Sequence, residues 1–239
     1  MSNSDLQPHY AIPLPAIPAL PIKASEKCFP IRRVYCVGRN YADHAIEMGH
    51  DPNREFPFFF QKNPDNLLFG KDFPYPPLSQ DVHFEVELFV ALKAGGTNIA
   101  VDDANALIFG YGVGVDFTRR DLQAEAKKKG RPWIAAKAFE HSAPVSHIVA
   151  AESVPTLEKK KILLKQNGET RQESDLDHLI WKVPEVIANL SRQFELAAGD
   201  IIFTGTPAGV GPVTVGDQIQ CEIEGIADLS FKVTEPLKS

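Results

Sequence analysis

The stretch Asp81-Val82-His83-Phe84-Glu85-Val86-Glu87 runs directly into Leu88-Phe89-Val90-Ala91-Leu92. Polar and apolar residues alternate through its first half, and residues two apart on a β-strand point to the same face. Glu85 and Glu87 are therefore expected to project together from a strand whose other members are apolar. Like charges in that setting need a cation or a basic partner, because an unpaired buried carboxylate is strongly destabilising. A third acid, Asp116, ends the apolar run Gly112-Val113-Gly114-Val115. Three carboxylates on strand-like segments suit a hard divalent cation, Mg²⁺ or Mn²⁺. The competing reading is a charged edge strand facing water; the apolar run before each acid speaks against it. His83 shares the predicted face, and a structural role is expected for it.

Outward from this segment the chain reads as many short strands and few helices. Strands are predicted over residues 33–37, 57–62, 108–115, 162–166, 201–204, 218–223 and 229–233. Helices are predicted over 41–48, stopped by Gly49, over 102–106, over 120–129, closed by Gly130, and within 177–190 with Pro184 in the first turn. Prolines at positions 8, 13, 15, 18, 21 and 30 disfavour helix or central strand near the start. Residues 1–30 thus read as a Pro-rich N-terminal extension, with 10–14 able to pair at a sheet edge, and 31–239 as a single catalytic domain. The pattern is that of an α+β fold dominated by mixed sheet rather than a regular βαβ alternation.

A chain of 239 residues with 44% hydrophobic and 23% charged residues can bury a substantial core as one compact unit. Its net charge of −6, without a basic tail, excludes nucleic acid and acidic membrane as expected partners. Lys127-Lys128-Lys129, close after Glu125, reads as the solvated face of a helix. Cys28, Cys36 and Cys221 form neither a disulfide framework nor a zinc knuckle, and fit a reducing compartment. No run is long enough to span a bilayer, and the N-terminal segment lacks a signal-peptide pattern. A cytoplasmic location is the expectation.

His44 and Glu47, three apart on a predicted helix, lie on one face. A carboxylate beside an imidazole fixes its tautomer and makes it a competent base toward water; a surface pair that merely shares a face is the plainer alternative. Lys62 and Lys137 each follow an apolar run and can balance acidic ligands or a substrate carboxylate, or extend to the surface. Arg119 and Arg120 offer an anion clamp, with Gln123 one turn beyond. Thr204-Gly205-Thr206-Pro207-Ala208-Gly209-Val210-Gly211 lacks the Lys of a P-loop and the setting of a dinucleotide turn. It reads as a tight loop whose amides approach an anionic ligand.

Gly38-Arg39-Asn40-Tyr41-Ala42-Asp43-His44, Glu85-Val86-Glu87, Gly112 to Asp116, Lys128-Lys129-Gly130-Arg131-Pro132-Trp133, Ala136-Lys137 and the Thr204 to Gly211 loop occur in this order. In that series the chain resembles the fumarylacetoacetate hydrolase family, in its acylpyruvate-hydrolase branch. The resemblance implies that Glu85, Glu87 and Asp116 bind Mg²⁺ or Mn²⁺, and that His44 and Glu47 form a catalytic dyad on a lid. It implies a catalytic Lys137, and substrate contacts from Arg39, Lys62, Arg120, Gln123 and Thr206. It further implies a mixed β-sandwich or β-roll with few short helices, a homodimer, and a small-molecule keto acid as substrate. The expected reaction is hydrolysis of a carbon–carbon bond in an acylpyruvate (a 2,4-dioxo acid). Fumarylpyruvate is preferred on the likeness of Pro57-Phe58-Phe59-Phe60-Gln61-Lys62 to the version in gentisate-pathway hydrolases. Oxaloacetate decarboxylation or tautomerisation is the enzymatic alternative, and a non-catalytic small-molecule binding protein the alternative of another class.

Overall fold

The computed structural model describes residues 10–47 and 55–237, and of Ala45 the backbone alone. Met48, Gly49 and Pro8, on which parts of the sequence reading fall, lie outside the described residues.

The central element is a mixed sheet ordered Phe58–Lys62, Arg33–Gly38, Asp200–Phe203, Val86–Leu92, Ile108–Val115, Ala143–Val145 and Leu67–Phe69, with Val149–Ala150 also paired to Ile108–Val115. Asp200–Phe203 runs parallel to Arg33–Gly38 and antiparallel to Val86–Leu92. Every residue of Val86–Leu92 is buried, which explains its nearly unbroken apolar sequence: a strand covered on both faces has no solvent side to mark with polar residues. The two-residue period still sorts its side chains. Val86, Leu88, Val90 and Leu92 enter one core, whereas Phe89 and Ala91 enter the other.

The first core is closed by a second sheet ordered Glu169–Asp175, Lys161–Gln166, Gln218–Ile223, Ala227–Thr234 and Phe73–Pro74. Its inward residues include Ile162, Leu164, Ile219, Ile223, Phe231 and Val233. The second core takes Val34, Cys36, Ile201 and Phe203 from the central sheet and is covered by Leu20 and Phe29. These two belong to a small ribbon, Ala19–Pro21 paired with Cys28–Pro30. The N-terminal pairing thus lies at 19–30 and not at 10–14, where Tyr10, Ile12 and Leu14 are exposed. Glycines let the layers approach: a Cβ on Gly112 would lie 2.3 Å from the Phe89 ring, and one on Gly114 would lie 2.7 Å from Phe203. The expected mixed sandwich with few short helices is what the chain forms.

Two further features depart from the sequence reading. Asp81 to Leu92 is not one strand, because Val82–Phe84 and Val86–Leu92 belong to different sheets and the chain changes sheet at Glu85. Val82–Phe84 pairs with Thr118–Arg119 and Gly211–Pro212. The break removes His83 from the acidic face, and its Nε2 meets Asp81 Oδ1 at 2.8 Å. The second departure is the strand Glu169–Asp175, joined to Lys161–Gln166 through Asn167 and Gly168 with φ of 54° and 85°. Two successive positive φ values make the tight hairpin turn that Asn-Gly favours.

Candidate active site

The sheet change delivers the acids to one point. Glu85 sits at the corner and its carbonyl accepts the Asp116 amide at 2.8 Å. Glu87 is the second residue of the central strand, opposite Gly114, and Asp116 follows the end of Ile108–Val115. All three are buried, and they bring ligand oxygens within 4.8 Å of one another.

Basic groups converge on two of the three. Arg120 Nη2 meets Glu85 Oε1 at 2.6 Å, and Lys137 Nζ lies 2.7 Å from Glu85 Oε2 and 2.8 Å from Asp116 Oδ2. Arg120 opens the helix Arg120–Lys128, and its Nη1 donates to Gln123 Oε1 one turn on, at 2.8 Å. Burial raises the Glu85 carboxyl, but Lys137 and Arg120 outweigh it and hold the group well below its ordinary value. For Lys137, burial is opposed by Asp116 and Glu85, which push it up to about 12. Glu87 differs: it accepts the Gly205 amide at 2.6 Å and has no ion-pair partner among the described residues. Burial, then repulsion from Asp116 and Glu85, drives its carboxyl well above the usual range.

A buried, all-oxygen donor set with one carboxylate short of positive charge fits a hard divalent cation of the Mg²⁺ or Mn²⁺ type. Glu85, Glu87 and Asp116 are the residues that would hold it.

Lys62, expected among the substrate contacts, is placed behind the cluster instead. Its Nζ lies 2.9 Å from Asp116 Oδ1 and donates to Ser142 Oγ at 2.9 Å, to the carbonyls of Phe117 and Ser142, and to that of Lys137. It does not border the cleft, because these acceptors occupy its ammonium. Burial lowers its pKa, with Asp116 opposing.

The dyad is carried by a separate segment. Gly38 ends a central strand, Arg39 turns the chain with φ of +58°, and the helix Ala42–Glu47 follows. His44 Nδ1 lies 3.3 Å from Glu47 Oε2, and both Glu47 oxygens accept the Gly209 amide at 3.1 Å. Asn40 fastens the base of this excursion. It donates to the carbonyls of Thr204 at 2.8 Å and Trp181 at 2.9 Å, and accepts the Trp181 amide at 2.7 Å.

Arg39, His44, the three acids, Arg120, Gln123, Lys137 and Thr206 all border one cleft of about 460 Å³, counted to its open mouth. Phe58, Phe60 and Trp133 form its apolar wall, and Lys127 lies at the rim. Lys127 is therefore more than part of a solvated helix face: after Gly130 the chain doubles back, and Trp133 sits 5.2 Å beneath the Lys127 ammonium.

The sequence reading passed over Gln172. Its side chain accepts the Val86 amide at 2.9 Å and donates to Thr206 Oγ1 and the Pro207 carbonyl, each at 2.8 Å. It satisfies the amide exposed by the sheet change and ties that corner to the Thr206 loop. Among residues 169–175 it alone is buried, so no alternation advertised it; the Asn167-Gly168 turn was the available signal.

A family model described as fumarylacetoacetate (FAA) hydrolase C-terminal matches residues 33–234. A fumarylpyruvate hydrolase from a Ralstonia species is 45% identical over 184 residues, covering 77% of this chain and 95% of that protein. The human mitochondrial oxaloacetate tautomerase FAHD1 is 41% identical over 207 residues, covering 86% and 93%. A crystal structure of fumarylpyruvate hydrolase from Pseudomonas aeruginosa, in complex with Mn²⁺ and pyruvate, superposes with a TM-score of 0.93. It has 44% sequence identity and covers 95% of this chain and all of that one. With the match running from the first central strand to the last strand of the second sheet, the chain belongs to the fumarylacetoacetate hydrolase family.

Proposed function

We propose that this protein is a divalent-metal-dependent hydrolase that cleaves the carbon–carbon bond of an acylpyruvate, with fumarylpyruvate giving fumarate and pyruvate. The observation that carries the reading is the meeting, in one cleft, of three buried carboxylates with ligand oxygens within 4.8 Å and of His44, itself paired with Glu47. The Ralstonia relative and the Mn²⁺- and pyruvate-bound neighbour support the same assignment.

A cation held by Glu85, Glu87 and Asp116 supplies Lewis-acid stabilisation of the enolate charge that develops on the pyruvyl half. The remaining work falls to the chain's own groups. With Nδ1–H donating to Glu47, His44 presents Nε2 as the acceptor for a proton from water. The hydroxide attacks the 4-oxo carbon, the bond from C3 to C4 breaks, and its electron pair passes to the pyruvyl half as an enolate. That enolate takes a proton at C3 to give pyruvate, and the acyl half leaves as a carboxylate. Lys137 and Arg120, already fixed by Glu85, provide positive charge that needs no reorganisation as the enolate forms. Gln123 and Thr206 orient the substrate from the cleft wall.

Oxaloacetate tautomerisation is the second reading, favoured by the 41% identical FAHD1 relative. It requires enolisation but no attacking water, and gives His44 and Glu47 less to do. Their presence also speaks against a non-catalytic binding protein. A homodimer, a cytoplasmic setting and a place in aromatic catabolism go with the hydrolase reading, on the family resemblance. Comparing kcat/KM for fumarylpyruvate, acetylpyruvate and oxaloacetate with Mg²⁺ or Mn²⁺ tests the assignment. Fumarylpyruvate is expected to lead, and a clear preference for oxaloacetate would reverse the order.

A further inference from the structure

Two cations on the cleft have no part in the chemistry above. Arg39 and Lys127 both border it, yet neither side chain has an ion-pair or hydrogen-bond partner among the described residues. Each is instead laid on an aromatic ring. The Arg39 guanidinium lies 5.4 Å from the centre of Phe58, and the Lys127 ammonium 5.2 Å from that of Trp133. The two rings meet edge to face, with centres 5.6 Å apart and planes at 87°. Phe60 adds a third ring 6.0 Å from Trp133. Aromatic support of this kind holds a cation in place without neutralising it.

Charge balance separates this outer pair from the inner cluster. Within the cluster, Glu85 is matched by Arg120 and Lys137, and Asp116 by Lys137 and Lys62. The negative charges of Glu85, Glu87 and Asp116 equal the positive charges of Lys62, Arg120 and Lys137. A divalent cation therefore makes the inner site positive by itself, enough for the carboxylate and developing enolate of the pyruvyl half. Arg39 and Lys127 are surplus to that need. They also share one field: burial lowers the Lys127 pKa, and repulsion from Arg120 and Arg39 adds to it. Grouped, ring-mounted and unpaired cations on a cleft wall are a waiting site for an anion.

We propose that Arg39 and Lys127 form the subsite for a second carboxylate at the far end of the acyl chain. The enzyme thereby selects dicarboxylic acylpyruvates over those with a neutral acyl tail. Phe58, Phe60 and Trp133 then flank a flat, unsaturated linker between the two ends. The specificity statement rests on the hydrolase reading; the anion subsite does not.

The test compares the wild type with Lys127→Met, Arg39→Gln and the double variant. The ratio of kcat/KM for fumarylpyruvate to that for acetylpyruvate is expected to fall about tenfold in each single variant and about a hundredfold in the double, in keeping with the loss of charge-assisted hydrogen bonds. The loss should fall on KM for fumarylpyruvate, and Lys127→Arg should restore most of it. A ratio unchanged in both single variants overturns the proposal. Fumarate and crotonate, which differ by one carboxylate, are titrated calorimetrically into the same proteins without turnover. Fumarate binding weakened about tenfold, with crotonate binding unaffected, supports the subsite even if neither dioxo acid is cleaved, in which case only the hydrolase reading fails. Equal fumarate affinity in wild type and double variant rejects it.

Discussion

The acidic cluster and His44, the latter paired with Glu47, border the same cleft but are held by different kinds of structure. Glu87 belongs to a strand buried along its whole length, paired on both sides and packed into two cores. Asp116 follows the neighbouring strand and is itself fully buried. His44 and Glu47 are carried on a helical stretch described over Ala42–Glu47. Ile46 on that helix is 58% exposed, and Glu47 accepts the Gly209 amide of a separate loop. The three carboxylates are thus set by the fold, whereas the His44–Glu47 pair is fixed by fewer contacts.

Separating the two regions by mutation breaks or sharpens that contrast. The largest effect is expected from Asp116→Asn, which removes a ligand and leaves Lys62 and Lys137 without a shared counter-charge. Activity should fall by on the order of 10⁴-fold together with Mn²⁺ binding, checked by titration calorimetry and turnover. His44→Ala should lower kcat by roughly 10³-fold with Mn²⁺ affinity intact. Equal loss of metal binding would show that the two regions are not independent.

Gly209→Ala probes the contact between the loop and Glu47. Gly209 has φ of +93°, and an added Cβ would lie 2.0 Å from the Arg171 carbonyl, so the loop must shift and disturb the Gly209 amide that Glu47 accepts. A fall in kcat of about tenfold is expected, with metal affinity unchanged. Loss of metal affinity would mean that the loop supports the cluster through Gly205 more than it supports the dyad.

The smallest effect is in pH dependence. The Glu87 carboxyl is raised in the folded chain from its ordinary 4.5. Its contribution to stability is complete below about 4.5 and is lost as pH rises through the folded value. Glu85, lowered from 4.5, acts in the opposite sense: its contribution is present above that pH and lost as pH falls through its folded value. Above 4.5, then, metal-stripped protein should lose Tm as Glu87 ionises. The gain in Tm on adding Mg²⁺ should grow over the same range, with proton release on binding. A pH-independent gain would contradict the charge balance assigned to Glu87.

How much of this was legible in the sequence depends on burial geometry. The central strand announced itself because both its faces are covered, and the three acids stood out against that apolar background. The sheet change at Glu85 was invisible: a strand that turns a corner carries the same alternating letters as one that continues. His83 was misplaced for that reason alone. Glu169–Asp175 carries no alternation because it lies at a sheet edge and buries only Gln172 outright, which leaves the Asn167-Gly168 turn as its one signal. The side-chain positions of Lys62 and Lys127 were equally hidden. Each follows the local pattern expected of it, but Ser142 and Trp133, distant or around a turn, decide where the ammonium goes.

The most direct test of the account is cleavage of fumarylpyruvate by metal-stripped protein before and after Mn²⁺ is restored, with fumarate and pyruvate quantified. Negligible cleavage is expected in the stripped state, with full recovery on Mn²⁺, equimolar products, and no recovery in Asp116→Asn. Cleavage that persists without metal, or that returns with Mn²⁺ in Asp116→Asn, would contradict it.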